Sequence, residues 1–283
     1  MGKSIGGYIG GRMKYHIIGH GGLGDELCFT PVYRVLKRDG HYVQIAGKQA
    51  AGIAINSPYV DSVINVGDKE SDVDRTIDMK WHNEVNYGYG MHLCEFYADQ
   101  AGVSIDSNEL DFILTDDERA GSMWVNELNR PIVAYNSYGG WDTKAFNLAP
   151  VAKMLEDKGI TMMQIGNAPR YAGIGYNMVG YIDSLREMGA ILQRCDLYLG
   201  NDNGIFHLAS AVGCHSVTVF TSTDPLCYIH NADTDSYICS DVCHGCYNNK
   251  SNKDIVRNVC PRSDYTCCKL DYSDIVKNVM RRF

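Results

Sequence analysis

From Lys14 onward, short apolar runs alternate with stretches in which apolar side chains return every three or four positions. KYHIIGH (14–20) has the pattern of a buried strand, and ELCFTPVYRVLKRDG (26–40) that of an amphipathic helix closed by Gly40. HYVQIAG (41–47) and VDSVINV (60–66) predict two more strands, and HLCEFYADQAGV (92–103) a helix that stops at Gly102. LDFILT (110–115) alternates like a strand, and DDERAGSMWVNEL (116–128) reads as an acidic helix. At Asn129-Arg130-Pro131 the order restarts. PIVAYNS, ITMMQIG, DLYLGND and SVTVF predict strands; LAPVAKMLEDKG, SLREMGAILQRC and GIFHLASAVG predict the helices between them. Strands alternating with helices imply parallel sheets of βαβ units. A chain of 283 residues is long enough for two such domains. The expected division is 13–128, then 131–270, with 271–283 as a closing helix. That helix carries Ile275, Val276 and Val279 on one face and is expected to return to the first domain. Residues 1–12 read as a flexible leader.

Charge narrows the partners. A net charge of −8 argues against a protein that coats nucleic acid. The carboxylates crowded into 61–119 read as a solvated acidic surface. No apolar run approaches the roughly 20 residues that span a bilayer, and the N-terminus lacks the apolar core of a secretion signal. A cytoplasmic chain without a transmembrane segment is the expectation.

The first strand runs into GHGGLGDELCFTP (19–31), in which Gly19, Gly21 and Gly24 match G-x-G-x-x-G. A dinucleotide site also needs an acidic residue at the end of the second strand, where this chain has Lys48-Gln49. An alternative is a glycine-rich turn that sets Asp25 at a helix N-terminus, facing the crevice at the sheet edge. There it serves as a helix cap, as a general base, or as both. The second motif is DLYLGNDNGIFHLASAVGCHSVTVFTSTDP (196–225). Its strand ends at Gly200-Asn201-Asp202-Asn203-Gly204 and a helix starts at once, so free amides and a positive dipole end stand ready for a diphosphate. His207 lies one turn in, either as a structural histidine or as a ligand contact.

Together these motifs resemble glycosyltransferase family 9, which contains the lipopolysaccharide heptosyltransferases. GGLGDELCFTP supplies Gly21, Gly24, Asp25, Thr30 and Pro31 of the family's first loop. GNDNGIFHLAS is similar to its donor motif, SVTVFTSTDP to the segment that follows, and Lys144 before Phe146 to its lysine-containing loop. The resemblance implies an α/β fold of GT-B type, two Rossmann-like domains with parallel sheets facing across a cleft. It implies transfer of a sugar from a nucleotide-diphosphate donor with inversion, to a glycan acceptor, with no metal required for the chemistry. It makes Asp25 the general base. Lys144, Asp202, Gly204 and His207 would hold the donor, with Gly24, Ser137, Gly166 and Asn203 as further donor contacts. Asn203 stands where the family has Thr or Ser, Trp141 and Phe146 alter the donor loop, and the first half is short. Two alternatives share the donor machinery: a phage-type enzyme acting on a hydroxymethylated DNA base, and a binding module without turnover.

Eleven cysteines include six within 239–268. Cys28, Cys94, Cys195, Cys214 and Cys227 are scattered and read as small buried apolar residues. In the tail, Cys243-x2-Cys246 with Cys260 and Cys267 (or Cys268) could wrap a structural zinc or iron. Disulfides and free thiols are the alternatives there.

Overall fold

The computed structural model describes residues 11–68, 72–79, 91–137, 141–166, 171–248 and 259–283. Most of the expected leader lies outside them. The first sheet is built from β1 (Lys14–Gly19), β2 (Tyr42–Ala46), β3 (Ser62–Val63) and β4 (Arg75–Met79), in the order β3-β2-β1-β4 with every pair parallel. Ile17 on the inner strand β1 pairs with Ile45 on one side and Ile77 on the other, and all three are buried. The second sheet takes β5 (Ile132–Asn136), β6 (Thr161–Gln164), β7 (Tyr176–Asn177), β8 (Leu197–Asn201), β9 (Ser216–Val219) and β10 (Asp235–Ile238). Its order is β10-β9-β8-β5-β6-β7, again all parallel.

Several elements depart from the sequence pattern. The helix expected over 26–40 is two, α1 (Leu23–Cys28) and α2 (Thr30–Arg38). The Thr30 hydroxyl donates to the Leu27 carbonyl at 2.8 Å, and Pro31 occupies the first turn of α2, where no N–H is needed. LDFILT is not a strand. Its alternation buries Leu110, Phe112 and Leu114 without giving them a ladder partner, and Phe112 lies beneath the Arg186 guanidinium, 4.5 Å from the ring centroid. The acidic block, read as surface, contributes β4, whose Ile77 and Met79 are buried.

Other helices are α3 (Ala50–Ala54), α4 (Leu93–Ala101), α5 (Asp116–Gly121), α6 (Ala149–Glu156), α7 (Leu185–Arg194) and α8 (Gly204–Ala211). One apolar core runs without interruption from the first sheet to the near face of the second, taking in Val43 and Ile45 at one end and Leu208 and Phe220 at the other. A second core lies on the far face of the second sheet. The closing helix (Tyr272–Met280) packs there against α6, through Ile275, Val276 and Val279, and does not return to the first sheet. Arg186 of α7 joins the halves. It holds Glu118 of α5 through two bonds of 2.7 and 2.6 Å, and donates to the carbonyls of Ile113 and Gly52. Among the described residues no helix is long and apolar enough to cross a membrane.

Candidate active site

The carboxyl ends of β1 and β8 point at the same space, and each feeds a helix into it. From β1 the chain turns through His20–Gly22 and opens α1, with Asp25 in the first turn. Asp25 does not cap from the position before the helix; it reaches back, accepting the Gly22 N–H at 2.9 Å and the Tyr97 hydroxyl at 3.0 Å. From β8 the chain opens α8 behind Asn203. The Asn203 side-chain oxygen accepts the amides of Ile205 (2.8 Å) and Phe206 (3.3 Å). The amide that replaces a hydroxyl at this position therefore fills the helix-cap role itself.

The two helix starts touch. A Cβ on Gly24 would fall 2.5 Å from His207 Cδ2, and one on Gly204 would fall 2.9 Å from Leu23 Cβ. No other residue type permits this approach. Between the halves lies a cavity of about 680 Å³. Its front wall includes His20, Gly24, Asp25, Lys48 and Gln49; its rear wall includes Trp141, Lys144, Asp202, Asn203, Gly204, His207 and Tyr228. Lys144 Nζ is 2.6 Å from Asp202 Oδ2 and sits 4.2 Å from the Trp141 ring centroid. Thr223 donates to the same Asp202 oxygen at 2.6 Å, and His207 Nε2 stands 3.8 Å from Asp202 Oδ1. Glu26, buried beside Asp25, accepts the Gln49 N–H at 2.9 Å and so fixes the loop that brings Lys48 and Gln49 to the front wall. A second cavity of about 390 Å³ shares Leu23, Gln49, Asn203 and Gly204 with the first and is walled by Ile182, Leu185, Met188 and Ile205.

Burial sets the electrostatics. It lifts the Asp25 carboxyl above the ordinary carboxylate range, against the Gly22 N–H, the Tyr97 hydroxyl and the Lys144 charge. A raised carboxyl suits proton abstraction near neutral pH better than the fully ionised group expected at a helix start. Burial also pushes His207 well below its usual value, helped by His230 and Lys144, so its imidazole is neutral.

The structure thus brings Gly24, Asp25, Lys144, Asp202, Asn203, Gly204 and His207 to one cavity. Ser137, after β5, and Gly166, which approaches Asn136 and Ile205, are not among the residues lining either cavity. Tail residues Cys243, Cys246, Cys260 and Cys267 line a single space of about 30 Å³ together with Thr143 and Ser222. Tyr97, Tyr228 and His230 carry no motif and reach the site only through the fold, while Thr223 belongs to the SVTVFTSTDP segment. Cys28 and Cys94 are buried as expected, but they neighbour histidines rather than an apolar core alone.

Residues 91–259 match the family model of glycosyltransferase family 9 (heptosyltransferase). No curated protein matches the sequence. Among solved structures, the glycosyl transferase family 9 protein from Veillonella parvula DSM 2008 is 13% identical, with 95% of this chain and 97% of that one covered at a TM-score of 0.73. The iron-containing dodecameric glycosyltransferase TibC from enterotoxigenic E. coli H10407 is 16% identical, with 96% and 76% covered and a TM-score of 0.75. E. coli heptosyltransferase WaaC with ADP is 14% identical, with 96% and 100% covered and a TM-score of 0.63. At these identities the likeness shows the fold, which is GT-B. With its family match spanning more than half its length, the chain belongs to glycosyltransferase family 9, the heptosyltransferase family.

Proposed function

We propose that this glycosyltransferase moves a heptose-like sugar, with inversion, from a nucleotide diphosphate to a hydroxyl of a glycan. One observation carries the reading: Asp25 borders the cavity from the front, and the Lys144–Asp202 pair and the start of α8 border it from the rear. The acceptor hydroxyl attacks the anomeric carbon from the Asp25 side. As the new C–O bond forms, its proton passes to the carboxylate. The bond to the diphosphate breaks on the far side, and its electron pair leaves with the phosphate oxygen. Lys144 and the dipole end of α8 meet that growing negative charge. The apolar walls of the second cavity suit the nucleobase, and ADP, which WaaC holds, is the nucleotide of choice for a first assay.

In this reading residues 13–128 form the acceptor side and 131–270 the donor side, with the closing helix belonging to the latter. The four tail thiols facing one small space fit a zinc or iron ion with every position filled, and the structurally similar TibC is iron-containing. Such an ion has a structural role. Thr143 borders that space and bonds Ser222 at 3.1 Å, so the tail buttresses the loop that carries Lys144. Asp25→Asn is expected to abolish transfer while ADP affinity, read by calorimetry, stays within about twofold of wild type. Normal turnover by that variant would refute the assignment.

A further inference from the structure

Behind His207 the two halves meet at five buried side chains: Cys28, His92 and Cys94 from the front, His207 and His230 from the rear. One ligating atom each of His92, Cys94 and His230 lie within 4.8 Å of one another, and so do those of Cys28, His207 and His230. Cys94 Sγ is 3.9 Å from His230 Nδ1, and Cys28 Sγ is 3.8 Å from His207 Nδ1. Sulfur and nitrogen ligands at the usual zinc distances stand roughly 3.5 Å apart in a tetrahedron. The Cys94–His230 separation is only a few tenths of an ångström wider. His92 supplies an independent observation. Its Nδ1 accepts the Cys94 N–H at 3.2 Å, while its Nε2 is buried with no hydrogen-bond partner among the described residues. Its ring stands edge-on to His230, with centroids 5.1 Å apart. Apolar side chains would fill such an interior without leaving a polar atom to satisfy.

We propose that His92, Cys94 and His230 hold a zinc-type ion that staples the two halves and sets the proton on His207. The Cys94 thiolate offsets part of the charge of a divalent cation in this dry interior. The site shares no residue with the cysteine tail. With the ion on Nδ1, His230 carries its hydrogen on Nε2 and donates it to His207 Nδ1, 2.7 Å away. His207 then carries its own hydrogen on Nε2, the nitrogen directed at Asp202 on the cavity wall, as a donor toward a diphosphate. Without the ion, the Asn108 carbonyl, 3.2 Å from His230 Nδ1, takes the hydrogen of that nitrogen. The pair reverses, and His207 turns a lone pair toward the cavity. The ion site stands on its own geometry; its effect on the donor rests on the glycosyl-transfer reading.

Elemental analysis and zinc-edge X-ray absorption of zinc-reconstituted protein test this. Wild type is expected to show imidazole nitrogen beside sulfur around its zinc. Cys243→Ser/Cys246→Ser, which disables the tail, is expected to retain one ion per chain. Adding His92→Phe to that tail-disabled protein is expected to lose the ion and weaken ADP binding about tenfold, the loss expected for one hydrogen bond to a charged phosphate. A sulfur-only shell in wild type, or no zinc at all, would overturn the site without recourse to any variant. An ADP affinity unchanged in the zinc-free triple variant would overturn the link to His207. A nitrogen-and-sulfur shell in a protein that transfers no sugar would support the ion and count against the transfer reading instead.

Discussion

Asp25 is pulled in two directions: desolvation raises its proton affinity, and the Gly22 amide and Tyr97 hydroxyl lower it. Tyr97→Phe removes one of the stabilising bonds to the carboxylate. The acidic limb of the kcat/KM–pH profile is therefore expected to move upward by about one unit, with little change on the alkaline side. A limb that stays put would mean that Asp25 is not the titrating base. Asn203 makes a different prediction at the same scale. Because its side chain caps α8, Asn203→Ala should cost about 1 kcal/mol in denaturant unfolding, whereas Asn203→Ser should stay within roughly 0.5 kcal/mol of wild type. The sequence motifs marked Asp25, Lys144, Asp202, Gly204 and His207, because a glycine-rich strand-to-helix turn leaves a local trace. Tyr97 and His230 were not legible. Nothing near them signals a partner, and they reach Asp25 and His207 across 72 and 23 residues of chain.

Among the elements, the inner strands were the readable ones. β1, β5 and β8 are covered on both sides and appear as near-continuous apolar runs. β7 and β10, at the sheet edges, pair on one side only, are short and mixed in composition, and left no pattern. LDFILT failed for the opposite reason: alternation reports which side chains are buried, not whether the backbone has a neighbour. The α5–α7 contact yields the prediction at this scale. Arg186 lowers the Glu118 carboxyl from 4.5 to about 2 through its two hydrogen bonds, so the bond stabilises the fold fully above pH 4.5 and loses that contribution as pH falls toward 2. Discounted for solvent screening, the contribution is about 2 kcal/mol. Glu118→Gln should unfold more readily at pH 7 and show a flatter fall in stability between pH 5 and 2; a wild-type slope in the variant would assign the acid sensitivity elsewhere.

At the scale of the molecule, the cavity sits where two parallel sheets present their carboxyl ends, the place where open α/β folds bind ligands. A nucleotide held there at about 100 times its dissociation constant stabilises the fold by roughly 2.7 kcal/mol. ADP is expected to raise the melting temperature by a few degrees, and Lys144→Ala to remove most of that rise. The uninterrupted apolar core beneath the cavity has a consequence for how that gain is shared. The two halves share this core, so they are expected to melt together, and calorimetry should record one endotherm. ADP bound against the rear wall should therefore slow amide exchange in β1 and β2 as well, shielding strands that its atoms never reach.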